Sequence, residues 1–331
     1  MNGRLGMKTQ TANLGRVLQG LVIVPAFALV ALAVWFQLSG IVAMVALVCI
    51  ALVFLWICRC WWVGNRWAVW AWSGLVIMVV AVWYVTLQPS NDRVWAADVA
   101  RGVTAEVAGD VVTVRDIRNF NWQTETDFTQ SWETRTYRLS QMSSADVITS
   151  VWGNPAIAHV LVSFGFSDGQ HLVFSAEIRR EQSEVFSSVA GFFRRFELVL
   201  IAADERDIVR LRTDVRGETV SVFRLQATAD QMRAMFLAYL DQGNTLSQTP
   251  EWYNTATDNC TTVIWQLVRK VSPEFPLDWR VLLSGYLPEF LYDQSLIRSD
   301  LPIAEVRARA VRKPLGIADS DGAAFSRRLR E

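Results

Sequence analysis

The chain has 331 residues, with 32 Lys and Arg against 32 Asp and Glu, so its formal net charge is zero. That balance argues against a dedicated nucleic-acid binder, which presents a strongly basic face. Hydrophobic residues make up 52% of the chain. They crowd into the first 88 residues, and the remainder has the composition of an ordinary globular protein.

Three apolar runs come first: Val17 to Leu38, Ile41 to Cys58 and Ala68 to Leu87. None contains a charge, and each approaches the roughly 20 helical residues that cross a hydrocarbon core. They carry no polar stripe, so buried helices of a soluble bundle fit them poorly. The first is too long for a signal-peptide core and is followed by two more. Arg4, Lys8 and Arg16 precede the first run, and Arg59 and Arg66 lie between the second and third. By the positive-inside rule the N-terminus and the second link are cytoplasmic. Trp61, Trp62, Trp67 and Trp83 sit near span ends, where indole rings favour the interface. The expectation is an inner-membrane anchor, 1–88, with spans at about 17–38, 41–58 and 68–87. A periplasmic domain follows at 89–300, then a basic tail at 301–331.

The exported part reads as several strands followed by helices, an α+β domain. Asp110 to Arg118 alternates apolar and polar residues, as a strand does. The Thr- and aromatic-rich stretch from Asn119 reads as strand and loop. Ala158–Phe166 and His171–Arg179 form a predicted hairpin around the turn signal Ser-Asp-Gly-Gln. Phe196–Ala202 and Glu218–Leu225 are further strands. Ala229–Leu240 is a helix with Thr228 as N-cap. Asn259–Val271 is another, capped by Asn259, with one face of Val263, Ile264, Leu267, Val268 and Val271. The tail after Asp300 is either solvated or a membrane-surface contact.

Of four cysteines, Cys49, Cys58 and Cys60 belong to the anchor. Only Cys260 is exported, so no intramolecular disulfide is open to it. It stands in Asn-Cys-Thr-Thr at a helix start. There the macrodipole and free amides favour a thiolate and an oxyanion. The alternative is a packed thiol, since free Cys is among the most buried residues. A thiolate needs a base, and only His159 and His171 are available. His159, inside an apolar strand, is held by packing; His171 follows the turn directly.

Ser175 and Glu177 on the returning strand are the candidates to orient the imidazole. A two-residue turn would pair His159 with Ile178 and point Glu177 away. A three-residue loop or a bulge would slip the register by one and bring Glu177 opposite. We favour Glu177. Tyr253, seven residues before Cys260, is either an oxyanion donor or an aromatic packed beside Trp252. "DERDIVRLRTDVRGE", from Asp204, reads as a solvated strand-and-turn with surface ion pairs, or as an anion pocket of Arg side chains. Asn259, Arg206 and Arg212 are the expected substrate-binding residues. No zinc-like ligand spacing, phosphate-cradling loop or dinucleotide fingerprint is present, so neither metal nor cofactor is expected.

"QPSNDRVWAADVA", "IRNFNW", "AHVLVSFGF" with "EIRRE", "DERDIVRLRTDVRGE" and "WYNTATDNCTT" together resemble the Lnb N-terminal periplasmic domain family, from about Gln88 to about Pro288. The resemblance implies a circularly permuted papain-like α+β fold, with the His strand before the Cys helix. It implies Cys260 as nucleophile and His159 as its base. It further implies a lipoprotein N-acyltransferase that moves an acyl chain from phospholipid through a thioester to a lipoprotein amine. Those enzymes carry further spans after the periplasmic domain; here the spans come first. Two other functions stand beside this one: a periplasmic cysteine amidase or peptidase acting on cell-wall peptides, and a non-enzymatic envelope assembly protein.

Overall fold

The structure, a computed structural model, describes residues 3–298, 300–316 and 321–331, with side chains from residue 15. It divides into two compact units. The first runs to Pro89 and takes in Phe193–Arg195; the second comprises Ser90–Phe192 and Phe196–Glu331.

Helices α1 (Gly3–Gln37), α2 (Gly40–Trp62) and α3 (Arg66–Thr86) make up the first unit. Gly15–Gln37, α2 and α3 are each long and apolar enough to cross a membrane. Gly40 (φ 59°) and Gly64 (φ 84°) occupy the left-handed conformation that the two tight links require. The helices meet through Ile23, Phe27, Ile57, Cys60 and Val69. Most of their remaining surface is exposed and apolar, as lipid-facing helices are.

The second unit opens with β1 (Thr104–Ala108), β2 (Val111–Arg118), β3 (Asn121–Trp122), β4 (Phe128–Thr129), β5 (Trp132–Arg138) and β6 (Met142–Val151). The hairpin β7 (Ala158–Phe166) and β8 (His171–Arg179) follows, then β9 (Glu197–Ala203), α4 (Glu205–Arg210) and β10 (Thr219–Arg224). Helices α5 (Ala229–Gln248), α6 (Cys260–Val271), α7 (Leu287–Asp293) and α8 (Ile303–Ala310) come next, and β11 (Val311–Arg312) and α9 (Gly322–Arg330) close the chain. Among the described residues nine strands form one sheet in the order β1-β2-β9-β8-β7-β6-β10-β11, with β5 also on β2. Among the described residues only the β2–β9 pairing is parallel.

Helices cover both faces of the sheet, giving a mixed α/β domain. Alternate residues of a strand face opposite sides. Val160, Val162 and Phe164 of β7 and Phe174 of β8 pack on one side against Phe236 and Tyr239 of α5 and Val263 and Leu267 of α6. Leu161 and Val173 pack on the other against Ile208 and Val209 of α4 and Phe325 and Leu329 of α9.

Two expectations change here. The run from Asp204 is neither a strand nor a solvated turn: it is α4 followed by a π-helical turn, Leu211–Val215. Its acids Asp204, Glu205 and Asp207 are buried and paired, because an unpaired buried charge is strongly unfavourable. Asp207 accepts from Arg118 at 2.9 and 3.0 Å, from the Phe120 amide at 2.7 Å and from the Trp122 indole at 2.8 Å. The segment after 300 is likewise no solvated tail. α8 packs on the core, β11 extends the sheet beside β10, and α9 seats Phe325 and Leu329 in the core.

Arg330 fixes that last helix. Its guanidinium meets Glu205 at 2.6 and 2.8 Å and Asp146 at 2.7 Å, and both carboxylates are almost wholly buried. Arg330→Leu leaves the buried Glu205 without its cation, while Asp146 keeps Arg224 at 2.6 Å, and breaking such a buried pair costs roughly 3 kcal/mol. We expect a clearly lowered unfolding temperature for the detergent-solubilised chain, with Arg330→Lys recovering part of the loss.

Candidate active site

The hairpin sets the site. Phe166 donates to Gln170 O at 2.9 Å around the three residues Ser167–Gly169, with Gly169 at φ 87°. Pairing then runs from Gly165↔His171 to Val162↔Phe174. Continued in that register, His159 stands opposite Glu177. The three-residue loop is therefore the one present, and a two-residue turn is excluded.

Beyond Val162 and Phe174 the two strands cease to pair, though β7 stays on β6 to Ala158 and β8 on β9 to Arg179. In an antiparallel ladder every second residue turns its amide to the same neighbour. Counting back from Phe166, the Val160 amide points at β8. There it meets the Cys260 sulfur, which approaches the opening from the start of α6. Within the same opening His159 Nε2 lies 2.7 Å from Ser175 Oγ and 3.1 Å from Glu177 Oε1. Ser175 Oγ donates to that carboxylate oxygen at 2.7 Å, and Arg212 Nη2 reaches it at 3.2 Å. Nε2 being engaged there, Nδ1 is the nitrogen left for the thiol.

The helix start is built by its cap. Asn259 Oδ1 accepts from the Thr261 and Thr262 amides, both at 2.9 Å, and its Nδ2 donates to Thr255 O at 2.8 Å. The Thr262 hydroxyl returns a contact to the Asn259 amide at 2.8 Å, completing a capping box. The cap leaves the Cys260 amide, at the first helical position, open to a substrate oxygen.

His159, Glu177, Arg212, Asn259, Cys260 and Thr261 line a cleft of about 580 Å³. Residues 128–285 match the family model of the Lnb N-terminal periplasmic domain. The segment belongs to that family. It runs from β4 past the Cys helix, so the motifs at Gln88 and Ile117 fall outside it. No curated protein and no solved structure matches the chain. With three helices able to cross a membrane, the Lnb-type domain makes this a membrane-anchored periplasmic protein.

Electrostatics in the Lnb-type domain couple the thiol to the imidazole. Burial alone would lower the His159 pKa, but the charges of Glu177 and Cys260 raise it to about 9. Burial would raise the Cys260 pKa; the His159 charge and hydrogen bond, the Val160 amide and the Thr261 hydroxyl bring it below the ordinary thiol value. Burial likewise opposes ionisation of Glu177, and His159, Arg212 and Ser175 hold its carboxyl well below the usual range. Each shift favours the charged form of its group over that of the isolated side chain: thiolate, imidazolium and carboxylate.

The other expected residues sort by position. Tyr253 lines the cleft, where burial first and then the Cys260 charge oppose its ionisation. Arg212 lines it too, but its guanidinium holds Glu177 and the Ile208 carbonyl. Asn259 is occupied as a cap. Arg206 does not reach the cleft; its Nη2 binds Asn119 Oδ1 at 2.5 Å. His171 sits at the turn, with Nδ1 3.2 Å from Gly169 O. The Val160 amide escaped sequence reasoning, because no local pattern marks where two strands part.

Since the thiol pKa is lowered, thiolate persists to lower pH than in a free cysteine. Alkylation of Cys260 by iodoacetamide should reach half its maximal rate below pH ~8.5, the ordinary thiol value. His159→Ala should push that midpoint to or above it. The rate at pH 7 should then fall, because an ordinary thiol is only about 3% ionised there.

Proposed function

We propose that this chain is a thiol-dependent acyltransferase of the inner membrane, with its N-terminus cytoplasmic and its Lnb-type domain periplasmic. The observation that carries the reading is a thiol at a helix start, facing an imidazole whose far nitrogen meets a partly buried carboxylate. The order of His strand before Cys helix agrees with a circularly permuted papain-like enzyme.

In the first half-reaction the Cys260 thiolate attacks the carbonyl carbon of an ester donor. The oxyanion is held by the Cys260 amide and the Tyr253 hydroxyl, aimed where negative charge develops. As the tetrahedral species collapses, the C–O bond breaks and the imidazolium proton goes to the leaving alkoxide. A Cys260 thioester and an alcohol result. In the second, an amine attacks the thioester, neutral His159 takes its proton and thiolate departs. Two modest barriers replace one high one. A phospholipid ester as donor and a lipoprotein α-amine as acceptor suit a membrane-tethered enzyme, and no cofactor enters the scheme.

Intact mass of the detergent-purified chain incubated with phospholipid tests the thioester. Wild type should gain one hydroxylamine-labile acyl chain; Cys260→Ala and His159→Ala should not. A Tyr253→Phe chain should acylate roughly 100-fold more slowly, the usual effect of losing one oxyanion donor. Absence of any adduct on wild type, with digestion of cell-wall peptides instead, would replace this reading by the amidase.

A further inference from the structure

The mouth of the cleft carries a large apolar surface. Trp279, Leu282, Leu283 and Tyr286 stand exposed beside Trp152 and Ile157. Hydrogen bonds lock these two loops into one ridge. The Gly285 amide donates to Ala156 O at 2.9 Å, and the Ala158 amide donates to Ser284 Oγ at 2.9 Å. Contact is so close that a Cβ on Gly285 would overlap the Pro155 carbonyl. Val185 and Phe186 are also exposed and line the same cleft. Single exposed apolar residues need no explanation, but a continuous patch around a cleft does.

The chain itself says what this surface meets. α3 ends at Thr86 and the second unit begins at Ser90, so the tether spans at most roughly 14 Å. Ser90 is then fixed: its amide donates to Glu197 Oε1 at 3.1 Å. Glu197 is the first residue of β9 and pairs with Arg179, two residues beyond Glu177. The tether therefore attaches at the end of the sheet that holds His159 and Glu177. The Ser167–Gly169 turn closes the opposite end of β7, roughly 30 Å away at about 3.3 Å per strand residue. Trp and Tyr on the ridge are the residues that favour the membrane–water boundary.

We infer that the ridge around the cleft mouth lies in the headgroup region of the lipid bilayer that anchors the protein, opening the cleft directly onto lipid. This placement stands apart from the acyltransferase reading. It is tested on the full chain in lipid vesicles, with the four native cysteines replaced and a single bimane-labelled cysteine introduced. Label at Leu282→Cys should lose its fluorescence to lipids brominated on the upper acyl chain; label at Asp168→Cys should keep it. Equal, weak quenching at both positions would overturn the placement and leave the ridge to a protein partner.

A second arm uses the native thiol. Leu282→Asp with Trp279→Ser should lose acylation from vesicle phospholipid while keeping reaction with a water-soluble short-chain ester. Equal acylation of this variant and wild type from vesicles would overturn the placement. If wild type forms no thioester with either donor while Leu282 is quenched, the acyltransferase reading falls and the bilayer placement stands.

Discussion

The partly buried carboxylate of Glu177 is the constraint on which the site depends. A charge in that position is tolerated only with partners. Three converge on one oxygen: the His159 imidazole, the Ser175 hydroxyl and the Arg212 guanidinium. The imidazole is thereby oriented and biased toward its charged form, and its second nitrogen is turned to Cys260. Arg212 draws on the same carboxylate and so moderates its pull on the imidazole, an acid that must also release its proton during turnover.

The same logic extends outward through the fold. Arg212 sits in a π-helical turn, a local distortion often found at functional sites, and α4 leads into that turn. α4 is pinned by Asp207 to Arg118, by its Asp204 cap to Arg135, and by Glu205 to Arg330 of the last helix. A line of paired buried charges thus joins the C-terminal helix to the imidazole. The opposite wall is apolar: α6 packs Val263 and Leu267 on the sheet and so carries Cys260 to where β7 and β8 part. Polar positioning of the base and apolar positioning of the nucleophile come from opposite faces of one sheet.

What was legible in the sequence was local. The three apolar helices, the β7–β8 hairpin, the Thr228 and Asn259 caps and the site of Cys260 follow from composition, periodicity and capping chemistry. The preference for His159 over His171 rested on strand burial, and the structure puts only His159 at the cleft. What stayed hidden was long-range. The register of β7 on β8 depended on whether one more residue joined the turn, which Ser-Asp-Gly-Gln does not specify. The charged run from Asp204 looked solvated because its partners, Arg118 and Arg330, lie roughly 90 and 120 residues away, beyond any window of periodicity. The same holds for the segment after 300, whose many Arg masked the two apolar anchors Phe325 and Leu329.

The most direct test of the account is the protonation state of one imidazole. The chain has only two histidines, so ring-nitrogen NMR of histidine-labelled protein in detergent, assigned with His171→Gln, resolves His159 by itself. The account predicts an imidazolium that persists through neutral pH and titrates near 9, and that loses its proton at clearly lower pH in Cys260→Ala and in Glu177→Gln. A His159 that is neutral at pH 7 in the wild-type chain, and indifferent to both substitutions, would contradict it.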